Sequence, residues 1–335
     1  MSKPASLKLT TAVEYWPLKA PFHITGYTFV TADVVVVTVE RNGLTGRGEA
    51  SGVYYLSDDA PHMLTQIEKV RDLLEAGADR QSLQTLLPPG GARNAIDCAL
   101  WELEAKSAGK PVWKLAGLDV PKPLLTTYTV GASSAAVMAA GARAYTDARA
   151  IKLKLTGEPD DADRVKSVRA ARPEVWLGVD ANQGFTRSSL EHLMPTLIEA
   201  RVSLIEQPFK IGQESLLTGF DSPIPVAADE SLQSLRDLPA LARCVQIVNI
   251  KLDKCGGLTE ALAIAREARK LGLGVMVGNM VGTSLAMAPS FVLGQLCDVV
   301  DLDGPLFLTS DREPSIVYRN GEVFSSDAVW GGTAR

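Results

Sequence analysis

The sequence predicts an α/β protein: a (β/α)8 TIM-type barrel carrying an α+β N-terminal capping domain that the C-terminal segment completes. Three observations predict it. After Pro121-Lys122-Pro123, eight short apolar runs alternate with amphipathic stretches of helix length, the texture of repeated βα units. Before that point, β-branched apolar runs meet Asn42-Gly43, the strongest short hairpin signal. Within the repeats, acidic and lysine side chains recur at the ends of successive runs, as they do when neighbouring strands each deliver one group to a common rim. A length of 335 residues suits a barrel of about 250 residues with a smaller domain beside it. The expected boundaries are residues 1–120 for the cap, 121–305 for the barrel and 306–335 for the C-terminal return.

In chain order, Leu7 to Trp16 and Asp33 to Glu40 read as strands of an antiparallel sheet, and Pro21 to Asp33 between them reads as a loop. Ala60 to Ala76 and Ala92 to Ala108 carry helical periodicity, the second stopping at Gly109 ahead of Pro111. The eight barrel runs are Leu125–Thr129, Ala150–Leu155, Val175–Asp180, Val202–Glu206, Pro225–Asp229, Ile247–Lys251, Gly274–Gly278 and Asp298–Asp303. Ile316-Val317-Tyr318, a turn at Asn320-Gly321 and Val323-Phe324 then form a hairpin expected to rejoin the N-terminal sheet.

Composition excludes several classes. A net charge of −5 without any basic run argues against a nucleic-acid partner. No apolar run reaches the ~18 residues of a membrane span, and the opening residues lack a signal-peptide pattern, so a cytoplasmic protein is expected. Cys98, Cys244, Cys255 and Cys297 show no CxxC spacing and read as free thiols. His23, His62 and His192 are scattered, with no triad-like or zinc-like spacing.

The chemistry concentrates at the run ends. Lys152 and Lys154 are two apart in a strand and share a face. At an effective dielectric of about 20 their repulsion is on the order of 2 kcal/mol, which would lower one amine's pKa and let it act as a base near neutral pH. Alone, such a pair would be two solvated lysines on an edge strand. Its surroundings differ: Asp180, Glu206 and Asp229 end the third, fourth and fifth runs, and Lys251 ends the sixth, at spacings of 26, 23 and 22 residues. A single aspartate at a strand end is often a helix cap. Three acids in register need a counter-charge, and oxygen ligands with open positions suit one Mg2+ per active site. A metal flanked by amines suits removal of a proton next to a carboxylate through an enediolate, with inversion of the stereocentre when a second amine returns a proton to the opposite face.

With these residues placed, the chain resembles the enolase superfamily, specifically its muconate-lactonizing subgroup. The resemblance spans nearly the whole chain and rests on Lys152-Leu153-Lys154, Asp180-Ala181-Asn182, Glu206-Gln207-Pro208, Asp229-Glu230-Ser231 and the stretch from Asn249 to Gly257. It implies metal binding by Asp180, Glu206 and Asp229, acid/base roles for Lys154 and Lys251, and a hold on the substrate carboxylate for Lys152. Lys254, three residues after Lys251, reads as structural.

The subgroup includes muconate cycloisomerases, o-succinylbenzoate synthases, N-acylamino acid racemases and dipeptide epimerases. Asp301-Leu302-Asp303 at the end of the eighth run resembles the pair with which dipeptide epimerases bind a substrate ammonium, although a capped turn before Gly304-Pro305 is the structural alternative. A dipeptide is therefore the expected small-molecule partner, with N-acylamino acid racemase or o-succinylbenzoate synthase as the alternative and a non-catalytic binding barrel as the alternative of another class. Relatives that act on L-Ala-D/L-Glu carry basic residues in the loop after the first strand. Here Pro21 to Asp33 has no Arg or Lys, which points to a neutral, apolar or aromatic second residue. Tyr27, Phe29, Tyr54 and Tyr55 are candidate walls of that pocket, and Met280 and Thr283 in the loop after the seventh run are candidate substrate contacts. Murein-peptide recycling and general peptide scavenging both fit, and the sequence leaves oligomeric state open, a homo-oligomer included.

Overall fold

In a computed structural model describing residues 7–333, alternation of β-branched residues builds one long hairpin at the N-terminus. β1 (Lys8–Ile24) pairs antiparallel with β2 (Tyr27–Arg41), and β3 (Leu44–Ala50) follows across Asn42-Gly43. Both turn residues have positive φ, 55° and 74°, as a two-residue turn of this hand requires. The expected loop from Pro21 to Asp33 is instead the far end of this hairpin. The ladder slips between Pro17 and Phe22 and resumes with Phe22 opposite Phe29. Pro17 and Pro21 cannot donate to a ladder, so the irregularity absorbs them and the strand continues past it. On one sheet face Val35, Val37 and Val39 pack against Ile67, Leu74, Leu83 and Ile96 of the cap helices, which span Ala60–Glu75, Arg80–Leu86 and Gly91–Ala108. The alternate residues Val34 and Val36 join the core shared with the barrel.

A short strand, β4 (Leu124–Leu125), precedes the eight parallel strands: β5 (Thr127–Val130), β6 (Ala150–Lys154), β7 (Trp176–Asp180), β8 (Leu204–Glu206), β9 (Val226–Ala228), β10 (Ile247–Ile250), β11 (Gly274–Val277) and β12 (Val299–Val300). They pair in sequence order from β5 to β12 as a TIM-type barrel. Residues pointing outward, such as Ile151, Val179, Ile205 and Val248, pack into the main core with the surrounding helices. Inward residues form layers. Leu204, Ala227 and Met276, with Trp176, Ile247 and Val299, plug the bottom. Two residues further along the strands, the interior becomes polar. One repeat departs from the expected pattern, because between β8 and β9 the chain makes only a 3-10 turn at Glu214–Leu217. Pro208, Gly212, Gly219, Pro223 and Pro225 leave no uninterrupted stretch for a helix there.

The seam between β12 and β5 is bridged by side chains. Thr129 N–H donates to Asp303 Oδ2 (2.6 Å), Leu302 N–H donates to Thr126 Oγ1 (3.0 Å), and the Thr127 hydroxyl donates to Asp301. The C-terminal hairpin, β13 (Val317–Arg319) and β14 (Glu322–Phe324), forms at Asn320-Gly321 as expected, but it pairs with β4 and not with the N-terminal sheet. The chain after it does reach the cap: Trp330 Nε1 donates to Arg47 O (2.8 Å) and Val112 N to Gly331 O (2.8 Å). Among the described residues, no helix is long and apolar enough to cross a membrane.

Candidate active site

Register brings the functional groups together. Lys154 lies opposite Asp180 in the β6/β7 ladder, and Asp180 opposite Glu206 in the β7/β8 ladder, so three neighbouring strands end level with one another. Asp229 follows β9, two residues beyond Ala227, which lies opposite Glu206. Carboxylate oxygens of Asp180, Glu206 and Asp229 lie within 4.8 Å of one another, and all three residues are buried. Such a set fits a hard divalent ion: three oxygen donors converge where unneutralised anions would be costly, and the Glu206 carboxyl is pushed up to about 8 by burial and by the Asp180 charge.

Lys154 on β6 and Lys251 at the end of β10 are four strands apart in an eight-stranded order, so they face each other across the barrel. Both line one cavity. Lys154 Nζ donates to Asp180 Oδ2 (2.6 Å), and Lys251 Nζ donates to Asp229 Oδ2 (2.7 Å). Lys152 lies deeper, reaching Asp301, Glu206 Oε2 (3.3 Å) and Asp180 Oδ2 (3.5 Å). The expectation that mutual repulsion lowers a lysine pKa meets the opposite environment here. Burial alone would depress Lys152, but the charges of Asp301, Glu206 and Asp180 outweigh it and hold the amine well above its ordinary value. Lys251 is likewise raised, because Asp229 and Glu206 outweigh its burial. Repulsion between the lysines loses because each ammonium has a carboxylate closer than its neighbour.

Lys254 lies in the short helix Leu252–Cys255 that follows Lys251, as a structural residue would, yet its ammonium enters the cluster. It donates to Asp229 Oδ1 (2.6 Å), to the Asp229 carbonyl and to Asn249 O (3.1 Å). Asp229 is thus clamped between Lys251 and Lys254, and its pKa falls despite the opposing effect of burial.

The cap closes the cavity from above. Thr25 at the hairpin tip donates to Leu155 O (2.9 Å) and Ala181 O (3.1 Å), which brings Phe22, Ile24 and Phe29 over the opening. Asp253 Oδ1 accepts from Ser51 N and Gly52 N, both at 2.9 Å, and so fixes the turn that carries Tyr54 and Tyr55. Gly52 has φ +72°, and a Cβ there would lie 1.9 Å from Asp58 O. Phe29, Tyr54, Tyr55 and Met280 line the cavity. Tyr27 does not. It is 45% exposed and stacks outside on Phe29 and Tyr54, with ring centroids 4.5 and 4.8 Å away. Thr283 is also absent from the cavity wall. Its N–H and hydroxyl bind the buried Glu49 carboxylate, which Arg312 also holds, because it caps the following helix and ties it to the cap domain. Asp301 and Asp303 occupy the seam behind Lys152. Burial and the Asp301 charge push the Asp303 carboxyl up to about 7.

The loop after the seventh run faces the cavity as expected, through Asn279, Met280 and Val281, whereas sequence reasoning missed Phe22, Ile24, Asn182 and Glu230, all on the cavity wall. Two signals were present. Phe22 and Ile24 share a strand face, and Asn182 and Glu230 sit one or two residues beyond proposed metal ligands.

Comparison with known proteins agrees with this geometry. The family described as mandelate racemase / muconate lactonizing enzyme, N-terminal domain matches residues 6–117, and the enolase C-terminal domain-like family matches residues 135–323. The chain is 38% identical to an L-Ala-D/L-Glu epimerase of Escherichia coli (strain K12) over 312 residues, 92% of this chain and 97% of that one. It is 40% identical to an N-acetyl-D-glutamate racemase of Pseudoalteromonas over 250 residues, 73% of this chain and 78% of that one. An Agrobacterium tumefaciens enolase family member with homology to dipeptide epimerases, solved with sodium and L-Ala-L-Glu, superimposes with a TM-score of 0.94 at 39% identity, covering 97% of this chain and 100% of that one.

Proposed function

Because the chain belongs to the mandelate racemase/muconate lactonizing family of the enolase superfamily, we propose that it is a dipeptide epimerase. It inverts the α-carbon of the C-terminal residue of an L,L-dipeptide by two-base 1,1-proton transfer. The observation that carries this reading is the placement of Lys154 and Lys251 on opposite walls of one cavity, with the acidic triad between them. The lysine that starts as a neutral amine takes the α-proton. The opposite ammonium then gives its proton to the other face of the same carbon, which exchanges the configuration and the charge states of the two lysines. Asp180, Glu206 and Asp229 would hold one Mg2+, whose charge lowers the cost of electron density gathering on the substrate carboxylate as the C–H bond breaks. Lys152, kept protonated by its carboxylates, supplies fixed positive charge beneath the site.

The side-chain pocket is assigned to a neutral or apolar second residue. Phe22, Ile24, Phe29 and Tyr54 supply the wall, and among the described residues the only cations on it are Lys154 and Lys251, both committed to proton transfer. An acidic side chain would be buried there without a partner. We assign the substrate ammonium to Asp301 and Asp303. A second reading, racemisation of N-acylamino acids, draws on one observation: Asp301 already binds Thr127 and Lys152, and Asp303 already accepts from Thr129. Four free cysteines suit a reducing compartment, and we place the enzyme in the cytoplasm.

Incubation of the Mg2+-loaded protein in deuterated water with mixed L,L-dipeptides tests the proposal by mass spectrometry. Deuterium at the α-carbon of the C-terminal residue is expected, strongest for neutral partners. Clear preference for L-Ala-L-Glu defeats the pocket assignment, exchange of N-acetylated amino acids alone selects the second reading, and no exchange in either set leaves a binding protein.

A further inference from the structure

Asn182 takes no part in the proton transfer, yet it stands on the cavity wall with φ at +42°, a conformation few residues tolerate. Its backbone N–H donates to Asp180 Oδ1 (2.8 Å). Its side-chain Nδ2 faces two carboxylates, Glu230 Oε1 at 3.2 Å and Asp180 Oδ2 at 3.4 Å. The Asp180 carboxylate, paired with Lys154, only accepts, as Glu230 does when ionised, so the amide nitrogen points at this pair; turning the amide over would set its oxygen against the Asp180 oxygen. The carbonyl oxygen Oδ1 is thereby aimed away from both acids. It is buried and has no hydrogen-bond partner, as do Glu230 Oε2 and the Tyr55 hydroxyl on the same wall. Buried acceptors are rarely left unpaired in a finished structure, and their concentration in a cavity marks where a donor is received.

We infer that Asn182 Oδ1 accepts the N–H on the acylated nitrogen bonded to the reacting α-carbon, and that Glu230 is a positioning residue that fixes the Asn182 amide for this contact. Holding the carboxylate alone leaves the α-carbon free to rotate about its bond to the carboxyl carbon. A second anchor on the nitrogen sets the C–H bond along the line between Lys154 and Lys251. The anchor serves both enantiomers, because the heavy substituents nearly keep their places while hydrogen changes face. The inference rests on the proposed function only in requiring an acylated α-nitrogen, which dipeptides and N-acylamino acids have and muconate lacks.

Calorimetric titration of the full-length Mg2+-loaded protein with L-Ala-Gly and with L-alanyl-glycolate tests it without turnover to a new stereoisomer. The second compound replaces the N–H by an ester oxygen and retains the ammonium and the carboxylate. We expect the wild type to favour the amide by about tenfold, the size of one net hydrogen bond, and Asn182→Ala to bring the ratio to within about twofold. Intrinsic differences between amide and ester cancel between the two proteins. An unchanged ratio overturns the inference, as does equal weakening of both ligands, the result expected if Oδ1 serves only water or the metal shell. Glu230→Gln, whose amide can donate, should lower the ratio with Asn182 intact, and it replaces Asn182→Ala if that variant does not fold. If wild type binds neither compound, the dipeptide reading fails, and N-acetylglycine against acetoxyacetate reads the same contact. Binding of none of the four overturns both.

Discussion

Lys254→Met removes a charge from the point where fold and site share a residue. The Lys254 side chain is 1% exposed, and its three protons go to Asp229 Oδ1, the Asp229 carbonyl and Asn249 O. Methionine keeps the length and the apolar stem, so the variant isolates the ammonium. Its loss leaves the buried Asp229 carboxylate with Lys251 alone, takes a donor from the Asn249 carbonyl, and leaves the Asp229 carbonyl with Leu232 N–H only. Breaking one side of a buried ion pair costs about 3–5 kcal/mol. For 335 residues the unfolding entropy is about 0.7 kcal/mol/K, so the melting temperature of the metal-free variant should fall by about 4–7 °C. Cation binding should change in the opposite sense. Removing a positive charge from Asp229 makes the triad more negative, so saturating Mg2+ should raise the variant's melting temperature by a larger increment than it raises that of wild type. Scanning calorimetry of both proteins, with and without Mg2+ at one pH, reads both effects. A variant that melts within a degree of wild type and shows the same Mg2+ increment would refute the reasoning, because Asp229 would then not depend on Lys254.

Lys154→Ala and Lys251→Ala should each lower inversion by about 10²–10⁴-fold while keeping α-proton exchange from one configuration only, opposite in the two variants. Proton NMR in deuterated water checks this, and exchange of both configurations by either variant contradicts two bases on two faces. Asp303→Ala strips the acceptor from Thr129 N–H at the barrel seam and should destabilise the protein by about 1–3 kcal/mol. An unchanged urea midpoint would remove Asp303 from the seam. The metal-free protein should lose stability as pH rises from about 4.5 to about 8. Glu206 is raised to about 8, and Glu230, Asp253 and Asp303 to about 7, mainly by burial. Each folded-state value lies above the unfolded one, so the bound proton favours the native state below the unfolded pKa, and that contribution disappears as pH climbs through the folded pKa. Mg2+ should flatten the decline by replacing the proton near Glu206; a metal-free melting temperature that rises from pH 5 to pH 8 contradicts this.

The convergence of the cavity lysines and the acidic triad was legible because strand geometry is simple. A period of two puts Lys152 and Lys154 on one face, and similar βα spacing brings Asp180, Glu206 and Asp229 to the same end of the barrel. The hairpin tip was not legible: Pro17 and Pro21 read as breakers, and nothing local announces that a slipped register will carry the strand to Ile24. Lys254 was half legible, since its place in the helix just after Lys251 follows from spacing but the reach of its ammonium to Asp229 depends on how that helix meets β9. The lowered lysine pKa failed for a related reason. Sequence supplies the nearest neighbour along the strand, whereas the charges that decide, Asp301 and Glu206, arrive from other strands.

Two-base inversion demands groups facing each other across a carbon, and closure of the barrel is what places β6 opposite β10. Closure in turn relies on Asp301 and Asp303, since the backbone ladder between β12 and β5 is missing and their carboxylates bridge it. Asp301 also grips Lys152, so the seam and the charge beneath the reacting carbon are held by one side chain. Any substrate ammonium recruited to this pair competes with those bonds. Of the two, Asp303 has the freer carboxylate: its partner is Thr129, whereas Asp301 takes both Thr127 and Lys152. An ammonium bound there would leave the seam intact, whereas one bound to Asp301 would have to displace Lys152 or Thr127. We therefore propose that a free N-terminus recruited to this seam would be met by Asp303, with Asp301 contributing charge from behind it.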